Sequence, residues 1–202
     1  LAIAEGRTKY PLSWSKSDRF SLWTSRHYLG ALNLFVFIYV LLPFLAPVLM
    51  NVGWTAPASW IYKGYGMVCH QLSHRSYFLF GEQPVYPLEI AGIERLKTLE
   101  EVANIGGNDI LAARGCHGNG QVGHDVAFCP CDVAVYLGIV LFGVLFSITN
   151  RRIPPIPWYL WVLLGLVPIG IDGLSQLVTQ FFSALPDRES TPFFRTITGF
   201  SF

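Results

Sequence analysis

"LGALNLFVFIYVLLPFLAPVLM", Leu29 to Met50, is continuous and carries no charge. At 1.5 Å rise per residue such a run reaches about 33 Å, enough for a hydrocarbon core of roughly 30 Å. A secretory signal peptide is the competing reading. Its apolar core is shorter, about 7–15 residues, and it ends in a small-residue cleavage site that is not evident here. The stretch therefore reads as a transmembrane helix, with Pro43 and Pro47 expected to kink its far end.

The rest of the chain agrees. Its 202 residues are 52% hydrophobic and 13% charged, about half the charge of an average soluble protein. A formal net charge of +1 and the lack of a basic stripe argue against nucleic acid as a partner. Val133–Thr149 forms a second apolar run, and Trp158–Phe182 a third, entered through Pro157 and carrying Pro168 and one acid, Asp172. The fold class expected is an all-α integral membrane protein with three transmembrane helices, and with a fourth following Phe202. The segments are 1–28, a first span at 29–50, a long loop at 51–132, a second span at 133–149, a turn at 150–157, a third span at 158–182 and a tail at 183–202.

Charge sets the expected orientation. Arg7, Lys9, Lys16, Arg19 and Arg26 precede the first span, against Glu5 and Asp18. Arg151 and Arg152 lie between the second and third spans, whereas the long loop has five basic and eight acidic residues. The positive-inside rule then places the N-terminus in the cytoplasm and the 51–132 loop outside the cell membrane. Within that loop, Ala56–Leu72 with Trp60, Tyr62 and Tyr65 reads as an interfacial helix. The apolar spacing in Pro87–Asn104 predicts a short amphipathic helix, and Gly115–Gly123 a glycine-rich loop.

All four thiols and four of the five imidazoles fall on the expected outer side. Cys69, His70 and His74 form one group; Cys116, His117, His124, Cys129, Cys131 and Asp132 form another. A helix through His70 and His74 would put both on one face. Thiolate, imidazole and carboxylate together suit zinc or iron. Disulfides compete for the same sulfurs in an oxidising compartment, through Cys69–Cys129 or Cys116–Cys131 bridges. A direct Cys129–Cys131 bridge is strained by its spacing. Covalent haem is disfavoured, because Ala113 stands where Cys-x-x-Cys-His needs its first cysteine.

A second, polar site is expected at the outer membrane surface. Asp172 is costly within a span unless it faces protein or a polar cavity, and Gln176 shares its helical face. Arg188 follows that helix, and Gln71 and Arg75 of the Cys-His-Gln segment can face it. The competing reading of Asp187–Thr191 is a solvated helix cap supplied by Ser190 or Thr191.

These blocks resemble those of a family of small bacterial and archaeal integral membrane proteins of unknown function. The likeness rests on Cys69-His70-Gln71, Arg75-Ser76 and "YFLFG" ending at Gly81; on Cys129, Asp132, Tyr136 and Gly138; and on Asp172-Gly173, Gln176, Arg188-Glu189-Ser190-Thr191 and Arg195. Cys131 stands where the family usually has arginine. The resemblance implies a multi-span helical protein with a further C-terminal helix. It implies no activity. Because His74, Cys116, His117 and Cys131 lie outside the pattern, Cys69, His70, Cys129 and Asp132 carry more weight as ligands.

Three functions fit. The favoured one is an accessory subunit of a larger membrane assembly, for instance one in electron transfer, with its outer loop held by a metal or by disulfides. The second is a membrane metalloenzyme or a thiol/quinone redox protein. The third is a small ion transporter, acting as an oligomer through Asp172 and Gln176.

Overall fold

The computed structural model describes residues 14–93, 95–105, 109–181 and 189–202. The first helix, α1, spans Lys16–Asn51. It begins well before the apolar run, at a capping box in which Ser15 and Asp18 each accept from the other's backbone N–H. A second helix, α2, spans Thr55–Tyr65 and turns back onto α1. It stops at Gly64–Tyr65–Gly66, so Gly66–Leu72 is not helical and His70 and His74 share no helix face. The two glycines explain the stop through their poor helix propensity.

The prolines of α1 have a specific consequence. Pro43 lacks the N–H that would pair with the Tyr39 carbonyl, and that carbonyl instead accepts from the Tyr65 hydroxyl at 2.5 Å. Pro47 likewise frees the Pro43 carbonyl, which accepts from the Ala127 N–H at 3.3 Å. Two carbonyls released inside an apolar helix are thus taken by the long loop, one at each end of that loop.

Pro87–Asn104 does not form one helix. It holds a 3-10 turn at Glu89–Ala91 and a five-residue helix, α3, at Leu99–Ala103. Gly92 in the left-handed conformation ends the first piece. The Thr98–Glu101 capping box starts the second. The next helix, α4, is Ile110–Gly115. The glycine-rich stretch supplies β2 (Gly118–Asn119) and the start of β3 (Gly123–Asp125), which with β1 (Phe78–Leu79) form a small antiparallel sheet in the order β1-β3-β2. Leu79 and Gly118 both pair with His124. Gly118 and Gly123 have φ of +80° and +78°, and a Cβ on either would lie within 2.3 Å of a backbone oxygen. The sheet therefore requires glycine at both positions.

The fifth helix, α5, spans Pro130–Ile148. The next begins as α6 (Trp158–Trp161), passes through a π-helical segment at Val162–Leu166, and continues as α7 (Val167–Phe181). The π segment lies immediately before Pro168, where the regular ladder is interrupted by the missing N–H. Lys16–Asn51, Pro130–Ile148 and Trp158–Thr179 are each long and apolar enough to cross a membrane. The last helix, α8, is Pro192–Ser201, capped by the Thr191 hydroxyl. It packs along α5 and α7, and the Trp161 indole donates to the Phe202 carbonyl at 3.2 Å.

The Arg151 guanidinium lies 5.1 Å from the Tyr28 ring, so the turn between α5 and α6 sits beside the basic start of α1. The loop, α2 and the sheet collect at the other end. There Ala46, Ala58, Tyr62, Tyr65, Cys69, Ala127 and Phe128 form one buried core. Tyr39, Tyr65 and Tyr136 surround the Phe128 ring, with centroids 5.3 to 6.0 Å away.

Candidate functional site

Cys69 follows α2 and is fixed by its N–H donating to the Tyr65 carbonyl at 2.9 Å. Cys129 is the N-cap of α5, Pro130 occupies the first turn, and Asp132 lies in that turn. Two separate segments of the loop therefore deliver sulfur to the start of one helix. The Gln71 side chain ties them together by donating to the Ala127 carbonyl at 2.8 Å. Gln71 is itself buried, so its role is to hold this group rather than to line the polar site.

The Cys129 thiol donates to Asp132 Oδ2 at 2.9 Å. One donor atom each from Cys69, Cys129 and Asp132 lies within 4.8 Å of the other two. Pairing with the Cys129 sulfur pulls the Cys69 thiol below its ordinary range, against the opposing effect of burial. Cys129 is raised in turn by the same pairing. All four cysteines are unbridged.

The other proposed ligands lie elsewhere. His70 is exposed and lines a cleft of about 250 Å³ with Cys69 and Arg114. His74 is buried in a 3-10 turn at Ser73–Arg75. His117 stacks on the Tyr62 ring at 3.8 Å, and its Nδ1 lies 3.2 Å from Asp125 Oδ1. His124 Nδ1 is 3.0 Å from the His117 carbonyl. Cys116 caps the C-terminus of α4 and is only partly buried. Among the described residues, Cys69, Cys129 and Asp132 are the group whose donors converge.

The polar residues form a second group on α7, α8 and the 3-10 turn. Arg75 makes two hydrogen bonds to Glu189, at 2.7 and 2.9 Å. Arg195 reaches the same carboxylate at 3.4 Å and also donates to the Gln176 side chain. Gln176 bonds in turn to the Asp172 carbonyl at 3.1 Å. A cavity of about 290 Å³ is lined by Arg75, Cys131, Asp172, Gln176 and Arg195. Cys129 and Cys131, separated only by Pro130, thus serve different groups. Arg188 lies outside the described residues.

Asp125, at 0% exposure the most buried acid among the described residues, is not singled out by the sequence. Its pairing with His117, eight residues earlier, continues the antiparallel β2–β3 register one step beyond the Gly118–His124 pair, and that hairpin is not evident from the glycine-rich sequence. Glu189 and Arg195 are visible as motif letters, but their union with Arg75 depends on chain crossings.

Helical spans with a polar cap at one end define this as a helical membrane protein. A family described as predicted membrane protein (DUF2085) matches residues 121–202, which include Cys129, Asp132, Asp172, Gln176 and Arg195. The chain is also 24% identical over 184 residues to an uncharacterized protein of Methanocaldococcus jannaschii, covering 87% of this chain and 84% of that protein. No solved structure matches the chain.

Proposed function

We propose that this protein is an accessory component of a membrane assembly that holds zinc, or iron in its place, through Cys69, Cys129 and Asp132. The convergence of those three donors carries the reading. Ligands on a tetrahedral zinc at about 2.3 Å from sulfur lie roughly 3.8 Å apart, so separations under 4.8 Å need little contraction. Two thiols with one carboxylate match the preference of a borderline-soft divalent ion. The lowered Cys69 thiol favours the first thiolate, and a bound cation would have to supply the stabilisation that the raised Cys129 thiol lacks. The bound ion would neutralise them and clamp the loop to α5. With the basic ends of α1 and the α5–α6 turn in the cytoplasm, the site faces outward.

The accessory role is supported by the outward apolar faces of the spans. Phe35, Ile38, Leu141, Phe142, Leu164 and Leu174 are all exposed. They offer contact to lipid or to other membrane subunits. A second reading uses the same sulfurs as a redox pair toward a quinone, and it is favoured by the approach of the Cys69 and Cys129 sulfurs to within 4.8 Å.

Metal analysis of protein purified from native membranes tests the proposal, combined with thiol labelling before and after reduction. One zinc or iron per chain, lost in Cys69→Ser and Cys129→Ser, is the expected result, with other membrane proteins co-purifying. Metal-free protein with a Cys69–Cys129 disulfide that a quinone regenerates would overturn it in favour of the redox pair.

A further inference from the structure

We propose that the cleft between α2 and the Arg114–His117 segment binds a phosphate group, held by Lys63, Arg114 and His117. This cleft has a volume of about 360 Å³, and among the described residues no acid lines it. It does not use the donors of the sulfur group, so it stands independently of the metal reading.

His117 is built into place. Its ring lies flat on Tyr62, with an interplanar angle of 18°. Asp125 Oδ1 faces its Nδ1, and the other Asp125 oxygen, Oδ2, is buried without a hydrogen-bond partner. A carboxylate oxygen beside Nδ1 fixes the orientation of the ring and directs Nε2 toward other partners. With Nδ1 turned to Asp125, Nε2 is the nitrogen left for the cleft, and it donates to a phosphate oxygen when both ring nitrogens carry hydrogen. Arg114 is pinned across the cleft by donating through Nη2 to the Gly66 carbonyl. Its other N–H groups remain for an oxyanion, which guanidinium recognises in forked geometry. Lys63 lies 5.9 Å from the Trp60 ring and supplies an ammonium group at the rim.

The position of the cleft favours a lipid as the carrier of that phosphate. Helix α2 starts four residues after α1 ends, and Trp54 and Trp60 are exposed beside it, which marks the headgroup level. Met67 lines the cleft and is 84% exposed, an apolar rim suited to an acyl chain. An anionic phospholipid headgroup and a soluble phosphate ester share the chemistry, and the experiment separates them.

Wild type, Lys63→Gln, Arg114→Gln and the double variant would be purified in detergent. Native mass spectrometry would measure retention of dioleoylphosphatidylglycerol against dioleoylphosphatidylcholine, and calorimetry would measure binding of inorganic phosphate. Phosphatidylglycerol is expected to be retained preferentially, with a loss of about tenfold in each single variant and more in the double. Unchanged unfolding temperatures in Lys63→Gln, an exposed position, show that the loss is not misfolding. Lipid retention without phosphate binding assigns the headgroup. Phosphate binding in lipid-free detergent with the same dependence on the variants assigns a soluble ester. Equal binding by wild type and double variant, or no preference for phosphatidylglycerol together with no phosphate binding, would overturn the proposal.

Discussion

The Tyr65 hydroxyl donates to the Tyr39 carbonyl, the one that Pro43 leaves without its helical partner. The proline and the tyrosine are therefore one device: the first opens a hydrogen-bond acceptor inside a span, and the second closes it with a group from α2. Tyr65→Phe should cost about 1–3 kcal/mol, because a partly buried carbonyl loses its donor. In a Pro43→Ala background the restored N–H takes the carbonyl, and the same change should cost markedly less. Unfolding in detergent of the four proteins gives the coupling. Strict additivity of the two changes would refute the device.

Arg75 and Glu189 meet across 114 residues of sequence. Glu189→Gln leaves Arg75 and Arg195 facing each other with reduced compensation. Loss of one partner from such a pair costs roughly 3–5 kcal/mol when it is well buried, and here the Glu189 side chain is 9% exposed. Arg75→Lys should be nearly as damaging, since an ammonium cannot make the two parallel bonds. Thermal unfolding measures both; wild-type stability in Arg75→Lys would show that the forked geometry is unimportant.

His74 is held at about 4, first by burial and then by Arg75 and Arg195, against the opposing pull of Glu189. The unfolded chain, with an ordinary imidazole, binds the proton more readily. Its contribution to stability is complete above about pH 6.5 and is lost as pH falls toward 4, by up to about 3 kcal/mol. His74 Nδ1 also has no hydrogen-bond partner, so His74→Leu should fold well at pH 8. The variant should lose less stability than wild type between pH 6.5 and 4; parallel pH profiles would contradict the assignment.

Gly199 lets α8 lie against α5. A Cβ there would stand 2.5 Å from the Cys131 carbonyl oxygen, a backbone atom that cannot rotate away. Gly199→Ala should destabilise by about 1–3 kcal/mol as the helices part. Gly170→Ala serves as the control, because nothing lies within 4 Å of the position its methyl group would take. Because alanine is the better helix former, Gly170→Ala should hold or gain stability, and comparable losses in both variants would mean that close approach at Gly199 is not the cause.

Mild oxidation of metal-free protein should join Cys69 to Cys129 within one chain, since their sulfurs lie within 4.8 Å. Cys131, which lines the cavity with Arg195, should stay free. Peptide mapping after treatment with diamide distinguishes the pairs, and added zinc should slow the reaction. A Cys116–Cys131 bridge as the main product would contradict the convergence of Cys69 and Cys129.

The sequence by itself determined the three apolar helices and the placing of the basic residues of α1 beside Arg151 at one end of them. Both depend on properties that add up along a short stretch: hydropathy, length and charge. It also singled out Cys69, Cys129 and Asp132, though among His70, His117, His124 and Cys116, which the fold sends elsewhere. Local signals misjudged Pro87–Asn104 and the glycine-rich strands, where capping and left-handed glycines overrode periodicity. Tertiary structure alone decided that Cys129 and Cys131 part company, that Arg75 finds Glu189, and that Tyr62 stacks on His117. Each of those pairings is set by how helices cross and which carbonyls prolines set free, and contact between distant segments leaves no period in the chain for a reader to find.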